Sequence, residues 1–231
     1  MMMKVIAINQ YILRRKRITE MENNLRTEEI TNLKEQLKKH HANGYTMHDA
    51  ERLAQKVLDI YGWDEASGPV PIVKIAECFG IKVYSDPDVP DDVSGNIYIG
   101  GNTEQIYGNK KVIVVADNED YFHQRFVAAH ELAHYLMDYT GDKRYEDKEV
   151  LFSMAYPKAG HSPSHDSEEE LRADRFAAEL LMPHRLFCNQ YRRVMNAAMN
   201  DKRYAIPYLS KYFEVKKGGI EKRILETKCE I

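Results

Sequence analysis

Apolar side chains recur every three or four positions along several stretches of this chain and alternate with polar ones along three shorter stretches. The first helical pattern is thin: within residues 20–41 only Leu25, Ile30, Leu33 and Leu37 break a charged run, which predicts a solvated helix ended by Asn43-Gly44. Thr46 and Asp49 then open a fuller amphipathic helix through Ala50, Leu53, Ala54, Val57, Leu58 and Tyr61, stopped by Gly62. Pro69 and Pro71 begin a shorter one (Ile72, Ile75, Ala76, Phe79) closed by Gly80. Extended segments are predicted at Ile81 to Tyr84, Val93 to Ile99 and Lys111 to Val115, punctuated by Gly100-Gly101-Asn102 and Gly108-Asn109. Apolar spacing from Tyr121 to Met137 predicts the next helix, with Asp117, Asn118 or Asp120 as its cap and Gly141 as its stop. Another runs from Ser167 to Pro183, with Ser167 and Glu170 placed as a capping box. The fold class expected is α+β: a small twisted, mostly antiparallel sheet packed against helices, followed by a C-terminal helical region.

The Tyr121–Met137 helix contains His130-Glu131-Leu132-Ala133-His134, an H-E-x-x-H motif. Residues four apart share a helix face, so both imidazoles can reach one ion, with Glu131 adjacent as a base for a water on that ion. A pair of half-buried core histidines is the plainer alternative. Two histidines do not complete a tetrahedral zinc site. The Ser167–Pro183 helix offers the third ligand in Glu170, with Asp174 one turn on and on the same face, placed to accept the free ring N–H of a ligand histidine, His130 above all. Glu168 and Glu169 are accounted for by the helix N-terminus, and Arg172 or Arg175 is an alternative partner for Asp174.

The run FVAAHELAHYL (126–136) followed by ELRADRFAAELLMP (170–183) resembles the ImmA/IrrE family of metallo-endopeptidases. VKIAECFGIKV (73–83), VSGNIYIGG (93–101) and KVIVVAD (111–117) resemble the family's approach to its zinc helix, so the likeness extends over about residues 46–225. It implies a small thermolysin-like zinc peptidase of minimal gluzincin type. Its substrate would be a helix-turn-helix transcriptional repressor, cleaved to release a mobile element or a stress response. By position the resemblance makes His130, His134 and Glu170 the ligands of Zn2+ and Glu131 the base. Asp174 stands where the family usually carries asparagine, and a carboxylate there also accepts a hydrogen bond.

Composition leaves this picture unchanged and excludes others. With 231 residues, 43% hydrophobic and 30% charged, the chain has enough apolar material for a core, and its net charge of −3 gives no reason to expect nucleic acid or a membrane as partner. Residues 1–44 are expected to be a basic leader and charged helix, partly disordered; 45–183 the peptidase core; 184–231 helices packed on it. No apolar run approaches the roughly 20 residues of a membrane span, and at the N-terminus the charges follow the apolar residues, unlike a secretory signal. Cys78, Cys188 and Cys229 show no C-x-x-C spacing, which predicts free thiols, Cys78 and Cys188 buried, in a reducing cytoplasmic setting.

Further candidates follow from position alone. Ser94 to Tyr98 is taken as the strand edge that aligns a peptide, with an ordinary structural strand as the alternative. The nearly thirty residues between Tyr139 and Ser167 show weak periodicity and are expected to form a lid or disordered loop. His161 or His165 from that stretch, or Tyr135, would contact an oxyanion or the substrate. Beyond residue 184 eleven Lys or Arg face five acids, and Ile206 to Val215, a Lys-Lys-Gly-Gly turn and Ile220 to Leu225 have the outline of a helix-turn-helix. Packing or repressor docking is the expectation for this region. The alternative function is a non-catalytic regulatory protein that sequesters a transcription factor or binds DNA through these helices.

Overall fold

Local chemistry sets the first elements of the structure, a computed structural model that describes residues 26–40, 44–139, 151–157 and 167–229. Residues 26–40 form α1, with Ile30, Leu33 and Leu37 as its buried edge. In α2 (Met47–Tyr61) the Thr46 hydroxyl accepts from the Asp49 N–H while the Asp49 carboxylate accepts from the Thr46 N–H, the reciprocal cap that the sequence predicts. Gly62 ends it at φ 74°, a left-handed conformation that costs glycine little. The short α3 (Ile72–Cys78) leads into the sheet.

Four strands lie in the order β1-β3-β2-β4. β1 (Lys82–Asp86) runs parallel to β3 (Lys111–Ala116), while β2 (Val93–Gly100) is antiparallel both to β3 and to β4 (Leu151–Pro157). The short α4 (Thr103–Tyr107) connects β2 to β3. α5 (Tyr121–Met137) lies across β2, β3 and β4, and α6 (Glu168–Leu181) packs against both α5 and α2. This is an α+β fold with a mostly antiparallel sheet. Fully buried Ala129, Ala133, Ala173 and Ala177 give α5 and α6 small side chains in the core, as close helix approach requires. Gly95 on β2 does the same for helix and sheet: a Cβ there would lie 2.3 Å from Val127 Cγ1 on α5 and 2.9 Å from the Val114 carbonyl oxygen.

Four expectations are corrected. The segment 151–157, expected as part of a lid or loop, is strand β4; its partner β2 lies more than fifty positions away, so nothing local announces the pairing. With β4 in place Ser94 to Tyr98 is no edge, because β2 is hydrogen-bonded on both sides. Cys188 is not a free thiol: it is disulfide-bonded to Cys229, with Cα atoms 5.3 Å apart, and Cys78 alone stays free. Lys217-Gly218-Gly219 also belongs to the first turn of a helix rather than to a turn between helices. The position of Gly141 lies outside the described residues; α5 gives way at Asp138.

After α6 come α7 (His184–Ala197), α8 (Lys202–Phe213) and α9 (Lys217–Thr227). Glu179 of α6, 1% exposed, ties them to the rest. One carboxylate oxygen accepts from Gln55 on α2 (2.9 Å) and from the His184 N–H at the start of α7 (3.0 Å), and the other from the buried guanidinium of Arg223 on α9. Arg223 also donates to the Met182 carbonyl at 2.9 Å.

Removing one member of a buried ion pair strands the other, so Glu179→Ala is expected to lower unfolding free energy by about 3–5 kcal/mol in urea titrations. A loss below about 1 kcal/mol would mean that Arg223 finds water or another acceptor. The disulfide closes a sequence separation of 41 residues. Cys229→Ser should therefore cost about 3–4 kcal/mol, and reductant should lower the melting temperature of the wild type but not of this variant.

Candidate metal centre

Asp120 starts α5 by accepting from the N–H groups of Phe122 (3.0 Å) and His123 (3.1 Å), and the unbroken helix that follows puts His130 and His134 on one face. Ser167 starts α6 by accepting the Glu170 N–H at 3.3 Å. The capping box read from the sequence is only half made, because the Glu170 carboxylate turns away from the helix end toward the two imidazoles. His130 Nε2 lies 3.1 Å from one of its oxygens, His134 Nε2 lies 3.4 Å from the other, and the two Nε2 atoms are 2.9 Å apart. The structure thus brings together the three side chains that the motif and Glu170 implicate.

The other ring nitrogen of each histidine faces a carboxylate. His130 Nδ1 lies 3.1 Å from Asp174, and His134 Nδ1 lies 2.6 Å from Asp138. Ionised carboxylates only accept, so each Nδ1 carries the hydrogen and each Nε2 of a neutral ring turns its lone pair inward. With both rings neutral, three lone-pair donors converge on one point. A tetrahedral zinc site with bonds of about 2.0–2.1 Å needs donor atoms about 3.3 Å apart, close to the spacing here. The donor set fits a metal ion.

Charge points the same way. Burial opposes a positive charge on His134, but its bonds to Asp138 and Glu170 outweigh burial and push it up to about 10; His130 is raised likewise against burial by Asp174 and Glu170. Burial would raise the Glu170 carboxyl, yet the two histidines hold it far below the usual range. The surroundings favour cationic charge between these groups. Behind them Lys222 of α9 donates to Asp174 at 3.1 Å, and Arg172 stands 3.9 Å from Asp138. Neither Arg172 nor Arg175 takes Asp174 from His130: Arg172 sits among Asp138, Glu168 and Glu169, and Arg175 pairs with Glu226 at 3.2 Å.

Glu131 is fully buried, and neither of its oxygens has a hydrogen-bond partner among the described residues, although the Ile97 backbone lies near enough to favour its charged form. Burial pushes its carboxyl up to about 7, with His130 and His134 pulling against that rise. An unpartnered buried carboxylate is costly unless it has work outside the protein's own hydrogen bonds. A water on the cation beside it would supply the missing donor.

The remaining candidates lie elsewhere. Ser94 is buried on β2 and donates to Glu119 at 3.0 Å. Tyr135 packs against Phe79 and Tyr139, its hydroxyl 2.9 Å from Lys111 Nζ. His161 and His165 lie outside the described residues. Two neighbours of the site escaped the sequence reading. Asp138 could have been found, since it follows His134 by the same four-residue step that links Glu170 to Asp174. Tyr156 of β4, whose ring centroid stands 4.5 Å from that of His130 at 79°, had no local signal.

Carboxylates that orient ligand imidazoles are commonly worth 10- to 100-fold in metal affinity. Asp138→Ala is expected to weaken zinc binding by about that factor in a competition titration against a coloured chelator, with Asp174→Ala similar. Unchanged affinity in both would mean that the rings are held by packing alone.

Residues 76–225, which include all four strands and both ligand-bearing helices, match the IrrE N-terminal-like domain of a peptidase family. No curated protein sequence matches the chain. Among solved structures, a Mycobacterium tuberculosis transcriptional regulator superposes with a TM-score of 0.50 at 18% identity, over 85% of this chain and 51% of that one. At that identity the likeness is one of fold, and this chain spans about half the length of that protein. With the match running through nearly two-thirds of its length, the chain belongs to the family of the IrrE N-terminal-like domain.

Proposed function

We propose that the chain is a zinc-dependent endopeptidase and that its substrate is a helix-turn-helix transcriptional repressor. The observation that carries the hydrolytic reading is Glu131, a buried carboxylate without a partner set beside three convergent donors. A metal held only for structure has no use for such a group. Two imidazoles and one carboxylate leave a coordination position open, the pattern of catalytic rather than structural zinc.

His130, His134 and Glu170 would hold the ion. When bound there, zinc supplies an acidified water, its pKa lowered from 15.7 toward about 7, and a polarised peptide carbonyl. Glu131 would take the proton of the attacking water and deliver it to the departing amine nitrogen. Asp138 and Asp174 keep the Nδ1 hydrogens where they are, so the Nε2 lone pairs stay on the metal side. β4 ends the described sheet on the side that carries Tyr156 over His130. A peptide can join its outer edge as a further strand, held by main-chain hydrogen bonds while its scissile carbonyl faces the centre. The aligning edge is therefore assigned to β4 and not to β2.

The substrate assignment rests on family resemblance. Support for the reading as a whole comes from the match to a peptidase family, the donor geometry and the intact base. Purified protein incubated with candidate helix-turn-helix repressors should cleave one of them, and a chelator should stop the reaction. Glu131→Gln should keep one metal ion per chain and lose at least about 100-fold in rate, because an amide cannot accept the proton. Undiminished proteolysis by that variant would refute the assignment of the base.

A further inference from the structure

A peptidase centre of the kind proposed above needs, besides the cation and the base, a donor for the negative charge that develops on the carbonyl oxygen. Ser94 and Tyr135 are engaged away from the ligands, on Glu119 and Lys111. One described hydroxyl is brought to the centre by the architecture itself. Tyr156 lies on β4 directly opposite Gly95 of β2. At Gly95 the helix presses onto the sheet, since no Cβ would fit between it and Val127. His130 follows Val127 by three residues and so shares its face of α5. The close approach at Gly95 therefore carries His130 up against the next strand, where it meets the Tyr156 ring edge to face at 4.5 Å. Phe126 (6.4 Å) and His123 (5.9 Å), also on α5, flank the same ring, so three helix side chains fix its position.

We propose that Tyr156 is a catalytic residue of this centre, its hydroxyl donating a hydrogen bond to the substrate carbonyl oxygen as that oxygen gains charge. A residue on the strand along which the peptide lies is already beside the scissile bond when the peptide docks, and a ring held by helix and strand loses little freedom in doing so. A phenol hydroxyl in its ordinary protonated form is a hydrogen-bond donor. The hydroxyl keeps its proton throughout and acts only as a hydrogen-bond donor.

The inference rests on the peptidase reading, and one set of measurements separates the two. Zinc-loaded wild type and Tyr156→Phe are assayed on a library of quenched-fluorescence decapeptides and then on the best-cut member. The phenylalanine ring preserves the packing on His130, so zinc content and melting temperature should match the wild type, KM should stay within about twofold, and kcat should fall about 100-fold. An unchanged kcat overturns the role of Tyr156 and leaves the peptidase intact. A fall in kcat accompanied by lost zinc assigns the ring a packing role and equally overturns the proposal. A wild type that cleaves neither a library member nor a helix-turn-helix repressor overturns both.

Discussion

Three lone-pair-bearing atoms packed within about 3 Å of one another in a place shielded from water repel each other unless positive charge sits among them. Every feature around the centre enforces that crowding. Asp138 and Asp174 take the ring hydrogens away from the meeting point, and Glu170 gives up its share of a capping box to reach it. Buried alanines on α5 and α6 suit helices that carry ligands from two separate elements to one point. Four carboxylates (Glu131, Asp138, Glu170, Asp174) crowd the two imidazoles, while Lys222 meets Asp174 and Arg172 stands near Asp138 from outside.

The outer parts of the fold bear on the centre through a few polar contacts. Lys222 comes from α9, and the adjacent Arg223 is fixed by Glu179, a residue of the same α6 that provides Glu170 and Asp174. The C-terminal helices thereby share a polar anchor with the ligand helix, and the Cys188–Cys229 bond holds the end of α9 to α7. Their basic composition has a local use in this arrangement: two of those cations are spent on carboxylates of α6.

Much of this was legible in the chain because it is local. Periodicity marks α2 and α5, Thr46 and Asp49 announce their cap, and four-residue spacing groups His130 with His134 and Glu170 with Asp174. Which carboxylate faces which imidazole was readable for Asp174 and overlooked for Asp138, though the same spacing rule covers both. Long-range pairing was not legible. β4 lies in a segment of weak alternation, and its register with β2 depends on residues more than fifty positions away; missing it made a central strand look like an edge and hid Tyr156. The cysteine pair was missed for a related reason, since three scattered cysteines say nothing about which Cα atoms the helices bring within 5.3 Å.

X-ray absorption at the zinc edge of the metal-loaded protein tests the central claim most directly. The account predicts one ion per chain in a four-coordinate shell of nitrogen and oxygen at about 2.0–2.1 Å, with the outer-atom scattering of two imidazoles. A shell containing sulfur at about 2.3 Å, or one of oxygens without imidazole scattering, would contradict it.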